Sequence, residues 1–439
     1  MNCPRSLLIL AVLSFSLVFA GLPGLAQEKA ASGLPPDLQA LITEALQANP
    51  ELKQMASIHT AAKEAIRPAG ALDDPEVGFA MQDIPTDTWR LNQDSMTQKM
   101  LELSQKFPFP GKRRLRSEAA AEQARSDDYA YRDKVNEVRG KVIMAYWDLS
   151  MAYTSFDLTE KNKKFWEQVV QVAETRYGVG QGMQADVLQA QVELGNYLDR
   201  LLQWRQRQES IKADLNALRG RPPQAAVQPP QALQPRPLPL KLDSLLALAE
   251  ARPQLQALKA LIAKQEKAVD LAKKDYFPDA TVTLGYGFRE TLGPPVNMKQ
   301  ADMFTGKFML NLPIWQATKI KPRIREEQAK QAAAREGHQS AWNQLQAAIK
   351  DRFSKLQRLT QQISLYHDGI VPQARQAAAA SLTAYQVGAL SFIQLYQSQI
   401  AVYSAELTVQ GYLKDFEENW AELEWLVGQE LPRAPGGKK

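Results

Sequence analysis

The sequence predicts an α+β chain in which one unit, short helices followed by two strands and a long helical hairpin, is used twice. Three observations predict it: self-similarity at a fixed offset, heptad seams too long for a compact domain, and strands whose apolar and polar residues alternate. "EALQANPELKQM" from Glu44 matches "ALAEARPQLQAL" from Ala247, which pairs Pro50 with Pro253, 203 residues apart, and Pro75 pairs with Pro278 at the same offset. Farther on, "RYGVGQGMQADVLQAQ" from Arg176 matches "AYQVGALSFIQLYQSQ" from Ala384. There Tyr177 pairs with Tyr385 at an offset of 208, which also aligns Gly220 with Gly428. Small insertions account for the drift, and the repeats run over 27–220 and 241–430.

Residues 1–26 read as a cleaved secretory signal, with Arg5 ahead of an apolar run over 7–20 and the small residues Gly24 and Ala26 at cleavage spacing. The alternative is an uncleaved anchor, but the run is shorter than the ~20 residues a spanning helix needs. Cys3 is the only cysteine and precedes the apolar run, so it is not a lipoprotein acylation site. The mature chain then has no cysteine, which excludes disulfides, thiolate metal sites and a cysteine nucleophile. Beyond the signal no stretch of 18 apolar residues occurs, so the expected product is exported and is either soluble or a β-barrel.

Each unit starts with a short helix broken at Asn49-Pro50 or Arg252-Pro253, because a residue before proline avoids the helical region. Strands are expected over 76–84 and 97–108 in the first repeat, and over 279–289 and 302–313 in the second. "DATVTLGYGF" sets Val282, Leu284, Tyr286 and Phe288 on one face and Thr281, Thr283, Gly285 and Gly287 on the other. In "MFTGKFMLNL" Phe304, Phe308, Leu310 and Leu312 oppose Thr305, Lys307 and Asn311, and in the first repeat Leu101, Leu103 and Phe107 oppose Glu102, Ser104 and Lys106. Alternation of this length fits a transmembrane barrel strand and equally a soluble half-buried sheet. Four strands cannot close a barrel, so the membrane reading requires several subunits.

Long helical hairpins follow over 112–219 and 319–428. Val135, Val138, Val142, Ala145, Leu149, Ala152 and Phe156 alternate spacings of three and four, and the returning helix repeats the seam through Leu194, Tyr197, Leu201 and Trp204. A helix over 113–176 is roughly 95 Å long at 1.5 Å per residue, beyond any compact domain. The glycines of "YGVGQG" and "YQVGAL" let the chain turn at the tips. Between the repeats, 221–240 holds seven prolines and reads as an extended linker, either a free tether or a segment pressed along the body. Residues 431–439 are expected as a flexible tail.

The order and duplication of these elements, with the "NPEL"-type break and the two tip motifs, resemble the TolC family of outer-membrane efflux channels over nearly the whole mature chain. "FPFPGKRRLR", 107–116, also resembles the strand-to-helix junction of members that serve heavy-metal efflux. The resemblance implies an α+β membrane protein: a homotrimer whose 12-stranded outer-membrane β-barrel, four strands per chain, continues into a long periplasmic α-helical barrel. It implies the exit duct of a tripartite pump that exports small toxic solutes such as metal ions or drugs. The expected partners are a periplasmic adaptor and an inner-membrane transporter, of the RND type in such pumps. The family's valine-glycine turns, the adaptor contact, correspond here to Val179, Gly180, Val387 and Gly388. Some members narrow the periplasmic aperture with acidic residues after the second turn; here Ser391, Phe392 and Gln394 stand there, and Asp186 follows the first turn. Asp186 also suits a helix start by compensating the dipole.

Pro372 interrupts only the second hairpin, since the 208 offset pairs it with Lys164, and a proline within a helix kinks it. Four cations follow the last strand of each repeat: Lys112, Arg113, Arg114 and Arg116, then Lys319, Lys321, Arg323 and Arg325. They are expected at the periplasmic membrane surface, on anionic outer-membrane lipid, against the alternative of solvated helix starts.

No catalytic or cofactor site stands out. Net charge is +5, from 53 basic and 48 acidic residues, too little to imply nucleic-acid binding. His59, His338 and His367 are scattered, and "PGKRR" lacks the earlier glycine and following Ser or Thr of a phosphate loop. Met96, Met100, Met298, Met303 and Met309 cluster near the strands, where methionine fills apolar gaps more often than it holds copper. The competing readings are a periplasmic coiled-coil scaffold or pump adaptor and, more distantly, an envelope hydrolase.

Overall fold

The structure is a computed structural model that describes residues 33–433. The signal segment 1–26 and tail residues 434–439 lie outside the described residues.

Helices α1 (Pro36–Ala48) and α2 (Pro50–Glu64) meet at Asn49, whose side chain accepts from the Glu51 and Leu52 amides at 2.9 and 3.2 Å. Its amide group also donates to the Leu218 carbonyl at 2.9 Å, so the proline break is tied to the far end of the first hairpin. After the short α3 (Ile66–Gly70) come β1 (Glu76–Gln82) and β2 (Gln98–Phe107), then α4 (Lys112–Gly178) and α5 (Gln184–Leu218). The second repeat supplies α6 (Leu242–Ala249), α7 (Pro253–Lys274), β3 (Ala280–Phe288) and β4 (Met303–Leu310). Its hairpin is α8 (Lys321–Ser364) and α9 (Val371–Gln386), followed by the returning α10 (Phe392–Val427). At 67 residues, α4 is about 100 Å long.

The repeats close in the same way. Gly220 and Gly428 both have positive φ, +63° and +83°, and a Cβ at either would press on the opening of its own repeat. It would lie 3.1 Å from the Ala48 carbonyl in the first case and 2.8 Å from the Pro253 ring in the second. Glycine is required at both places by the close approach as much as by the backbone angle.

The four strands form one antiparallel sheet in chain order, and β2 pairs with β3, so the sheet joins the two repeats. Register aligns Phe79, Leu101, Tyr286 and Phe304 in one row across all four strands. This apolar face is bare: Val77 and Phe304 are each 72% exposed, and Phe308 is 67% exposed. A half-buried soluble sheet covers such a face with a second layer, and none lies on this one. The other face is polar and bonded to itself, with Ser104 and Thr283 hydroxyls 2.8 Å apart and Lys307 donating to Glu102 at 2.6 Å.

The main core gathers α1, α4, α6, α8 and α10 around Tyr146, Trp147, Phe416 and Trp420. Of the two options for the linker, the structure has it lying along this core: Leu233 is buried, Ser150 donates to the Gln231 carbonyl at 2.6 Å, and the Gln231 amide donates to Tyr146 at 2.9 Å. The chain end departs from the expected flexible tail at its first residues. Leu431 is buried, and the Arg433 guanidinium is sealed between Glu417 at 2.7 Å and Glu424 at 3.2 Å. Arg236 of the linker shares Glu417 and Arg139 of α4 shares Glu424, so one buried charge cluster holds tail, linker and hairpin together. Among the described residues, no helix is long and apolar enough to cross a membrane.

Candidate functional site

Three places carry the residues singled out in the sequence: the hairpin tips, the junction where strands become helices, and Pro372 within the second hairpin. At the tips, Val179 and Val387 are 64% and 75% exposed, and each precedes a glycine in the left-handed region, Gly180 at φ +74° and Gly388 at φ +80°. The tips therefore present an apolar side chain on a sharp, fixed turn.

The two tips are also bonded to each other. Arg176, in the last turn of α4, donates to the Tyr385 carbonyl at 2.5 Å and to the Gln181 carbonyl at 3.0 Å, and its guanidinium lies 4.6 Å from the Tyr385 ring centre. The buried Tyr385 hydroxyl reaches back to Asp186 at 3.4 Å. Burial, with the Asp186 carboxylate beside it, pushes the Tyr385 pKa up. Asp186 thus combines its place in the first turn of α5 with a cross-tip contact. Sequence reasoning missed Arg176. The signal was present, because the aligned tip motifs differ there, with Ala384 in the second repeat.

The residues expected at the aperture after the second turn each have a contact within the chain. Phe392 is buried, its ring 6.0 Å from Trp166 and 6.1 Å from Tyr385, and so belongs to the core between the tips. Ser391 and Gln394 form a capping box that starts α10. Both are occupied by helix capping, the reason these polar residues follow the turn.

Pro372 sits at the start of α9, directly after a π-helical stretch, Leu365–Ile370. Proline lacks the N–H that would bond the carbonyl four residues back, and the widened turns lie where that ladder is broken. Its counterpart Lys164 lies inside the uninterrupted α4.

At the junction the eight cations do not act as one group. Lys112 departs from the expected contact with lipid: its side chain is 5% exposed and its ammonium lies 2.9 Å from Asp279 and 3.5 Å from Asp275. Asp279 also accepts from the Phe109 amide at 2.8 Å, and the Phe109 and Phe277 rings stack at 4.4 Å. Lys112 therefore bolts the first junction to the end of α7, and its charge is spent within the protein. Lys319 and Arg323 line a hollow of about 460 Å³ that includes Lys106 and Asn311 of the polar strand face. Arg113 and Arg114 line a different hollow, on the apolar side. Arg116, Lys321 and Arg325 are exposed and line neither.

A bare apolar sheet face carried on two ~100 Å-scale hairpins defines a protein whose strands belong in a membrane and whose helices project away from it. The chain belongs to the outer membrane efflux protein family, whose model matches residues 41–221 and 245–429, one match per repeat. It is an outer-membrane protein of α+β fold. The chain is 26% identical over 245 residues to the fusaric acid resistance protein FusA of Burkholderia cepacia, an alignment covering 54% of this chain and 45% of that protein. The fold is similar to the outer-membrane channel OprN, with a TM-score of 0.76 and 17% identity over 92% of this chain and 91% of that one. It is also similar to the Campylobacter jejuni CmeC outer membrane channel, with a TM-score of 0.77 and 14% identity over 97% and 94%.

Proposed function

We propose that the chain is the outer-membrane exit duct of a tripartite efflux pump and exports small toxic solutes passively. The observation that carries this reading is the sheet: one face apolar and bare, the other polar and internally bonded, with both outer strands unpaired. In lipid such edges must be closed, which calls for further copies of the chain. Three copies give the twelve-stranded barrel that the family resemblance implies, with the polar face lining the lumen. A periplasmic scaffold or adaptor has no use for the bare apolar face, so that reading falls behind. The duct role needs no catalytic group, since an inner-membrane transporter, RND-type in this reading, supplies the energy. A periplasmic adaptor docks on the exposed turns Val179-Gly180 and Val387-Gly388. Opening loosens the second hairpin at the π-helical stretch before Pro372. The test is fractionation of cells making the full chain, followed by planar-bilayer recording. Heat-modifiable trimers that need detergent and conduct ions are expected; a soluble monomer overturns the reading.

A further inference from the structure

The apolar strand face does not simply stop at its helix-bearing end. Its last row, Phe107, Ala280 and Leu310, pairs across β2, β3 and β4 and forms the roof of an open hollow of about 1060 Å³. The floor of that hollow carries three arginines, Arg67 from α3 with Arg113 and Arg114 from α4. Arg113 is aimed by its Nε, which donates to the Gly70 carbonyl at 2.8 Å. Arg114 is partly neutralised by Glu118 at 3.4 Å, which also pairs with Lys267 at 2.9 Å. Neither Arg67 nor Arg113 has a carboxylate partner among the described residues. Phe109, which also lines the hollow, stacks on Phe277, and the Lys274 ammonium lies over both rings.

We propose that this hollow seats one anionic phospholipid of the periplasmic leaflet, its phosphate on Arg67 and Arg113 and its acyl chains on the apolar strand face. Two observations select a lipid over a free anion. The hollow that these arginines line is bounded by Phe107, Ala280 and Leu310, on the face that, in the proposed membrane placement, already touches acyl chains. In the polar-face hollow, by contrast, Lys112 and Arg323 are paired with Asp275 or Asp279, whereas Arg67 and Arg113 meet no carboxylate among the described residues. A guanidinium also matches the fork geometry of a phosphate better than an ammonium does. The proposal rests on the outer-membrane reading above and adds to it a stoichiometric lipid.

The test uses the purified full-length protein in detergent, titrated with phosphatidylglycerol, with a diacylglycerol of the same chains, or with inorganic phosphate, and read by native mass spectrometry. One phosphatidylglycerol retained per chain is expected, with diacylglycerol lost and inorganic phosphate unable to displace it. Arg67→Gln, which removes an exposed side chain with no ionic partner, is expected to weaken retention about five-fold, and Arg67→Gln with Arg113→Gln further. Arg116→Gln, on the same helix but outside the hollow, is expected to retain lipid like the parent. Wild-type retention in Arg67→Gln, or an equal loss in Arg116→Gln, overturns the site. Displacement by inorganic phosphate overturns the lipid as its occupant. Conductance recorded on the same samples separates the two readings, since it tests the duct and is indifferent to the lipid.

Discussion

Replacing Arg176 with alanine isolates what holds the two hairpin tips together. The guanidinium makes two charge-assisted bonds to carbonyls, one across the tips and one within its own turn, and lies over the Tyr385 ring. Only the bond to the Tyr385 carbonyl and the ring contact join one tip to the other. A hydrogen bond to a charged group contributes about 1.5–3 kcal/mol net, and a partly exposed cation–π contact about 0.5–1 kcal/mol. Taking a value near the middle because Arg176 is half-buried, the cross-tip part comes to about 3 kcal/mol, or a bias of roughly 150-fold toward joined tips. Single-channel recording reads that bias. Arg176→Ala is expected to raise the time-averaged conductance and the frequency of high-conductance states, with the trimer still intact on unheated gels. Arg176→Lys, which keeps the charge but loses the planar fork, is expected to fall between the two. Conductance of Arg176→Ala equal to that of the parent refutes the reasoning, because it means that the cross-tip contact does not limit opening.

The Tyr385 pKa is raised, so the neutral hydroxyl belongs to the joined state: that stabilisation is full below the ordinary tyrosine value near ~10 and is lost as pH rises through the higher folded value. Alkaline opening is therefore expected in bilayer recordings and should disappear in Tyr385→Phe. Lys112→Met strands the Asp279 and Asp275 carboxylates and is expected to cost about 3–5 kcal/mol, seen as a lower temperature of trimer dissociation, with Asp279→Asn restoring part of it. Leu284→Arg puts a charge in mid-strand on the bare face and is expected to cost about 2–4 kcal/mol of membrane assembly, while Thr305→Arg on the polar face should assemble and alter ion selectivity. Pro372→Ala is expected to reduce the frequency of gating transitions, and unchanged transitions remove the hinge.

Much of the architecture was legible because it is written in short periods. Alternation of two sorts strand residues into faces, a seam of three and four marks the hairpins, and an offset near 203 exposes the duplication. What alternation could not decide was which solvent the apolar face meets. That depends on whether another layer covers Phe79 and Phe304, a tertiary fact. The site was legible as places more than as roles. The valine-glycine turns stand where the motifs put them. Lys112, however, looks like its three cationic neighbours until Asp279, 167 residues on, is folded against it. Phe392 likewise reads as a residue beside a turn, and only Trp166 from the other hairpin makes it core. Arg176 was visible as a mismatch between repeats, a signal that similarity searching within the chain discards.

The pairing of β2 with β3 also constrains the order of events in building the protein. One edge of β2 pairs with β1 of its own repeat, but the partners of Lys99–Phe107 on the other edge lie in the second repeat, beyond the whole first hairpin and the linker. A chain emerging from export therefore cannot complete its sheet until most of the second repeat has followed, and its first β-hairpin must wait with an unpaired edge. Long-range strand pairing of this sort is slow and exposes aggregation-prone edges. A duplicated gene thus yields a single folding unit, in which neither half can reach the bilayer alone.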